Sequence, residues 1–505
     1  MPTQTSIILS TLNARYMHTA FGLRYLYANM GNLQSQTQIL EFTIQQLPIN
    51  IVEKLLKPQP KIICFSVYIW NIAETSKTVS LLKQIMPDVT IILGGPEVSY
   101  YPDIPGIAEL ADYVISGPGE ISLNKLCEQI LAKKLPENKF IEGIIVPLDQ
   151  LEAPYTYYTD EDIQNRLIYV EASRGCPFKC EFCLSALDKT STPFELGSFL
   201  EEMEQLLQRG VRNFKFIDRT FNLKISTSVA ILEFFLQRLT EDLYLHFEVI
   251  PDHLPDKLKQ VLQKFPVNSL QFEIGVQTFD PAIQDLISRK QNNEKTKANI
   301  KWLRQHTGAH LHTDLIFGLP SDTLENFAHS FDQLIELHPH EIQLGILKRL
   351  RGAPINQHTD NYELRYNPEA PYNILTTRDI DFIEMQRVNR FARFWDMIGN
   401  SGRFPATLPL ILADQPFNNF MILSDSLYQL SDSTWKIALK RLFELLFRAL
   451  TETFQHSPDD VKQQLNLDYK HAKLKGQLNY QSTINKSSNR KGVANKRQQL
   501  HQERV

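Results

Sequence analysis

The sequence predicts an α/β protein in three parts: a doubly wound parallel sheet, an incomplete β/α barrel of six units, and a mainly helical C-terminal region. Three observations carry this. Short β-rich runs alternate with amphipathic stretches over residues 1–150, the alternation resumes with larger units from Leu167, and the β pattern fades after Arg351. Such alternation implies right-handed βαβ units and a sheet covered on both faces. At 505 residues the chain exceeds one ordinary core, and three domains are expected.

In the first part, residues 1–150, strands are expected at Ser6–Leu12, Gln38–Thr43, Lys61–Val67, Val89–Leu93 and Tyr113–Ile115. Helical patterns separate them at Ala20–Met30, Ile51–Lys57, Ala73–Met86 and Ile121–Lys134. Parallel sheets bind ligands at the carboxyl ends of their strands. Those ends carry LNARYMH, SVYIWN, GGPE and SGPGE, where glycine admits close approach to the backbone. Residues 151–166 lack either periodicity and read as a linker. Residues 167–350 hold strand candidates Leu167–Ala172, Asn213–Ile217, Tyr244–Val249, Ser269–Gly275, Ala309–Ile316 and Glu341–Leu347, with helical stretches between them. Six units suit an incomplete TIM-type barrel, a fold whose chemistry lies at the carboxyl ends of its strands. Residues 351–468 are expected to be helical, notably at Asp379–Ile398 and Ser433–Phe454. Lys348, Arg349 and Arg351 at the junction read either as a solvated basic turn or as contacts to an anionic substrate. Residues 469–505 read as a disordered basic tail, since Lys470–Val505 holds nine Lys/Arg against one acid.

Composition narrows the function classes. A net charge of −4 gives no general attraction to nucleic acid, and no apolar run approaches the ~20 residues of a membrane span. The N-terminal segment has no basic region before its apolar stretch and no small-residue cleavage site, so a cytoplasmic protein is expected. Five cysteines are far from a disulfide framework. Cys64 and Cys127 sit in apolar patterns and read as small core hydrophobes.

The other three cysteines fall in VEASRGCPFKCEFCLSAL, where Cys176, Cys180 and Cys183 have Cys-x3-Cys-x2-Cys spacing. Thiolates so close in sequence can converge on one inorganic centre, and cluster irons take cysteine ligands. Three thiolates leave one iron of a 4Fe–4S cluster open. The plain alternatives are a zinc site or three unrelated thiols; structural zinc wants four ligands, and no histidine lies near this loop.

This spacing, with Phe182 before the third cysteine, resembles the motif of the radical S-adenosylmethionine (SAM) superfamily. LQFEIGVQTFD and HTDLIFGLP are similar to the fourth- and fifth-strand sequences of its coproporphyrinogen dehydrogenase and elongator-like branch. The resemblance implies an enzyme whose cluster reductively cleaves SAM to a 5′-deoxyadenosyl radical. It implies SAM contacts from Phe182, Glu248, Gln277, Arg289 and Asp314, with Asp218 near the methionine ammonium although the usual Gly-Gly-Glu is absent. The N-terminal motifs LNARYMHTAFGLRYL, FSVYIWN, ILGGPEVSYYPD and ISGPGE resemble the Rossmann-like B12-binding domain of the cobalamin-dependent branch. That implies cobalamin held by Ser66, Gly94, Gly95, Gly117 and Gly119. The Asp-x-His-x-x-Gly motif of cobalamin mutases is missing, which implies no histidine lower ligand; His18 is the only histidine near the first strand end. The helical region resembles an uncharacterised extension found on some of these proteins.

Methylation of an unactivated carbon in a small-molecule or peptide substrate is the activity this branch implies, with a flavodoxin or ferredoxin as reductant. A non-methylating cyclase or oxidoreductase using the same cofactors is the alternative. An RNA-modifying methylthiotransferase would want three N-terminal cysteines and finds two, and a cobalamin-binding sensor would have no use for the cysteine triplet.

Overall fold

The computed structural model describes residues 5–188, 190–478 and 480. The basic tail expected at 469–505 lies outside the described residues from 481 onward. Two compact units divide the chain, Met1–Ala392 and Arg393–Val505.

The first unit opens with a parallel sheet of strands β1 (Ile7–Asn13), β2 (Thr37–Thr43), β3 (Ile62–Ser66), β4 (Thr90–Gly94), β5 (Tyr113–Ser116) and β6 (Phe140–Glu142), in the order β2-β1-β3-β4-β5-β6. Runs such as IILSTLN are buried along their whole length because both faces are covered. One face packs Ile8, Leu12, Ile63 and Phe65 against helices Pro48–Leu56 and Ile72–Ile85. The other packs Ile7, Leu9, Ile62 and Cys64 against Leu23 of helix Phe21–Ala28 and Leu123, Leu126 and Cys127 of helix Glu120–Leu131. Because the crossovers after β1 and β3 leave to opposite faces, a crevice opens between the carboxyl ends of these two strands. The sixth strand escaped the sequence pattern. It has three residues, none fully buried.

Residues 151–166 are more than a tether. Helix Asp160–Asn165 starts from a capping box of Thr159 and Asp162. Asp162 and Arg166 join Arg24 and Glu41 in a buried network of four ion pairs at 2.7–2.8 Å.

A second parallel sheet follows, made of β7 (Ile168–Val170), β10 (Asn213–Phe216), β11 (Tyr244–Val249), β12 (Leu270–Gln277), β13 (His310–Phe317) and β14 (Glu341–Ile346), adjacent in that order. All six expected strands are present, and the ends β7 and β14 do not pair, so the barrel is open. Between β7 and β10 a small antiparallel hairpin, β8 (Ser173–Gly175) and β9 (Ser191–Pro193), brackets the cysteine segment. Along β12 and β13 every second residue is buried, and the apolar set packs under the helices through contacts such as Phe317 on Phe327. The alternate set is mainly polar: Gln271, Glu273 and Gln277 on β12 with Gly275 among them, and His310, His312 and Asp314 on β13 ahead of Ile316. The interior of this barrel is therefore a polar cavity wall and not an apolar core.

Arg349 and Arg351 form neither a solvated basic turn nor a free anion site, whereas the Lys348 side chain is exposed and only its backbone is paired. Lys348 bridges to Asn373, Arg349 Nη2 lies 2.7 Å from Asp103, and Arg351 Nε lies 2.9 Å from the buried Glu97. The junction thus latches the barrel to the loop after β4.

The second unit is helical, with helices Leu408–Leu412, Pro416–Ser431, Leu439–Arg448 and Pro458–His471 around Phe404, Phe417 and Phe443. Buried Asp468 accepts the Ala406 and Thr407 N–H groups at 2.8 Å. Among the described residues no helix is long and apolar enough to cross a membrane.

Candidate functional site

The cysteine loop leaves β8 through Gly175, whose φ of 94° and close neighbour (a Cβ would meet Thr190 O at 2.3 Å) both require glycine. Cys176, Cys180 and Cys183 then line one cavity of about 280 Å³, together with Phe182, Glu248, Gln277, Arg289 and Asp314. Five of the six side chains expected to meet SAM thus share a chamber with the three thiols. The sixth, Asp218, is placed elsewhere. Its carboxylate accepts from Ala172 N at 2.9 Å and Ser173 Oγ at 2.6 Å, so it ties the end of β10 to the start of the cysteine hairpin. Burial pushes Asp218 up to about 7.

The chamber wall is shaped by an irregularity in β12. Its register with β13 shifts between Gly275 and Gln277, and Gln277 has a φ of 70°. Such a bulge re-aims a side chain. Gln277 Oε1 is buried with no hydrogen-bond partner, which leaves it free to accept from a ligand in this chamber. Arg289 donates to Gly275 O and Gln291 Oε1, and its Nη1 stands 3.5 Å from Cys180 Sγ. Burial pushes the Cys180 thiol up while the Arg289 charge pulls it down. Burial lifts Asp314 to about 7, with Glu273 and Glu248 adding to the effect. Burial opposes charge on Glu273 as well, but His246 at 2.9 Å and Lys215 at 3.0 Å outweigh it and hold that carboxyl at about 2.

Glu181, inside the cysteine segment, carries no signal in the sequence and proves to be its anchor. Its carboxylate accepts from Ser288 Oγ, Gln357 Nε2 and His358 Nε2, each at 2.7 Å. Its backbone pairs with Ile287 O and Ile355 N.

A second, larger cavity of about 700 Å³ lies at the carboxyl ends of β1, β3, β4 and β5, where they face the barrel. Ser66, Gly94, Gly95, Gly117 and Gly119 all line it. Gly95 has a φ of 103°, and a Cβ there would come within 2.6 Å of Val67 O. The stacked rings of Tyr68 and Trp70, 4.3 Å apart, form another part of the wall. His18 lines it on the barrel side and its Nδ1 is 2.8 Å from Tyr169 Oη. Burial lowers the His18 pKa and lifts that of Tyr169 to about 12, so the pair is neutral near pH 7. Arg174, directly before Gly175, joins this wall to the cysteine loop through Glu120 at 2.7 Å and Glu171 at 2.6 Å.

The residues present fit the cofactors expected. Among the described residues no three His, Cys, Asp or Glu side chains converge on a single-ion site. A cubane places its irons at separate corners, so thiolates lining one chamber suit it without meeting at a point. The orphaned Gln277 oxygen suits a ribose hydroxyl, and the larger cavity offers backbone at the strand ends for a nucleotide tail.

Comparison with known proteins finds both expected domain types. Residues 170–334 match the Radical SAM superfamily, residues 8–126 a B12 binding domain, and residues 360–505 a protein family of unknown function, DUF4080. The cobalamin-dependent radical SAM methyltransferase TokK of Streptomyces tokunonensis is 24% identical over 372 residues, 65% of this chain and 52% of TokK. The chain spans about half the length of the first curated relatives it matches. Among solved structures, the cobalamin-dependent SAM radical enzyme OxsB superposes with a TM-score of 0.67 at 14% identity, covering 94% of this chain and 82% of OxsB. The radical SAM methyltransferase TsrM of Kitasatospora setae, with tryptophan and a SAM analogue bound, gives 0.57 at 16% identity, over 71% of this chain and 76% of TsrM. At these identities the likeness is one of fold.

Proposed function

We propose that this chain, in which residues 170–334 match the Radical SAM superfamily and residues 8–126 a B12 binding domain, is a cobalamin-dependent radical SAM methyltransferase acting on an unactivated carbon of a small molecule or peptide. A radical SAM domain implies SAM and a 4Fe–4S cluster, and a B12-binding domain implies cobalamin. When bound, these groups supply one-electron cleavage of SAM to a 5′-deoxyadenosyl radical and a transferable methyl group. The observation that carries the reading is the meeting of two cavities: the thiol chamber and the strand-end cavity share Arg219 in their walls.

The chain's own residues then have distinct tasks. Cys176, Cys180 and Cys183 ligate the cluster. Gln277 and Asp314 hydrogen-bond the ribose, Arg289 supplies positive charge for the methionine carboxylate, and Glu248 accepts from the ammonium. Ser66 and the backbone at Gly94, Gly95, Gly117 and Gly119 hold the cobalamin tail. A flavodoxin or ferredoxin delivers the electron.

The test is anaerobic incubation of the cobalamin- and iron-loaded chain with reductant and SAM carrying a deuterated methyl group. The reading expects 5′-deoxyadenosine and label transferred to cobalamin. Deoxyadenosine without labelled cobalamin points to the non-methylating alternative, and neither product defeats the proposal.

A further inference from the structure

If the two cavities are the SAM and cobalamin sites, as proposed above, the substrate carbon must lie where they meet. Arg219 stands there, in the loop after β10, and is the residue common to both walls. The other arginines in these walls are committed: Arg174 to Glu120 and Glu171, Arg289 to Gly275 O and Gln291. Lys290 lines only the smaller chamber. The Arg219 side chain is 56% exposed and makes a loose ion pair with Glu248 at 3.7 Å, too long for a hydrogen bond. Lining both cavities, it keeps its planar fork of donors available to a ligand between them.

We propose that Arg219 is the substrate anchor: it binds an oxyanion, a carboxylate or phosphate, that the substrate carries close to the carbon to be modified. Guanidinium pairs with either group through two parallel N–H···O bonds, which fixes orientation as well as position. Such an anchor places the adjacent carbon between the two cofactors without occupying either site. The neutral His18–Tyr169 pair on the same cavity wall adds hydrogen bonds but no competing charge.

The experiment uses the full chain loaded with cobalamin and cluster and saturated with SAM. Arginines are modified with phenylglyoxal and the Arg219 peptide is followed by mass spectrometry. The probes are malonate for carboxylate and inorganic phosphate for phosphate, with chloride at equal ionic strength as reference. Modification of Arg219 should slow at least ~10-fold with one of the two oxyanions, the range of a lost charge-assisted bond. Which anion protects identifies the source. Equal modification in all three salts overturns the proposal, as does full protection by SAM and cobalamin alone, which would assign the guanidinium to a cofactor. Arg219→Lys, which keeps the positive charge beside Glu248, should bind SAM and cobalamin within about twofold of the parent. A larger loss of cofactor affinity in Arg219→Lys also overturns it. A parent chain that binds neither cofactor sinks the two-cofactor reading and this inference with it.

Discussion

Replacing Glu181 by alanine removes the acceptor for Ser288, Gln357 and His358, each bonded at 2.7 Å. The site is nearly closed, with side-chain exposure of 12% for both Glu181 and His358. Each buried donor left unsatisfied costs about 1–3 kcal/mol, and partial access of water favours the low end, so the three together lose about 3 kcal/mol. A loss of that size shifts the balance between ordered and disordered cysteine loop by roughly 150-fold. The expected outcome is a chain that folds but binds iron poorly. After anaerobic reconstitution Glu181→Ala should hold less than about half the iron of the parent, and Glu181→Gln, which keeps one acceptor oxygen, should fall between them. Full iron loading in Glu181→Ala, with unchanged resistance of the loop to proteolysis, would refute the claim that this carboxylate positions the cluster ligands.

Gln277→Ala should weaken SAM binding by roughly 10-fold, the effect of one lost buried hydrogen bond, measured by equilibrium dialysis on the reconstituted protein. Unchanged affinity would mean the orphaned Gln277 oxygen does not face SAM. Arg351→Ala leaves Glu97 buried and unpaired, so thermal unfolding should move down by an amount worth about 3 kcal/mol, while Glu97→Gln in the same background should recover part of it. Asp322 is fully buried and pushed up to about 8. Between the unfolded carboxyl value of about 4 and that value the unfolded chain binds fewer protons than the folded one, so stability falls as pH rises. Asp322→Asn should flatten that slope in denaturant titrations across the same range, and an unchanged slope would assign it to other groups.

The architecture was legible where a period repeats. Alternation marks β12 and β13 because one face meets helices and the other meets the cavity, and the cysteine spacing needs no tertiary knowledge. What stayed hidden depends on partners far along the chain. Glu181 finds its acceptors' donors 107, 176 and 177 residues away, and nothing local distinguishes it from a solvated acid. Asp218 ends a strand in a position suggestive of ligand contact, yet it bonds to Ala172 and Ser173 across the adjacent strand. The buried pairs Arg24–Asp162 and Arg166–Glu41 turn an aperiodic segment into an ion-paired clamp, which no periodicity reports. The same holds for Arg351, whose basic neighbours suggested an open turn while its partners, Glu97 and Asp103, come from the loop after β4 of the first sheet.

Electron paramagnetic resonance of the anaerobically reconstituted, reduced chain puts the cysteine assignment to the test. A 4Fe–4S signal that changes on adding SAM, and disappears when Cys176, Cys180 and Cys183 are replaced by alanine, is the predicted result. A protein that takes up zinc in place of iron, or a cluster signal indifferent to SAM or to loss of those three thiols, would contradict it.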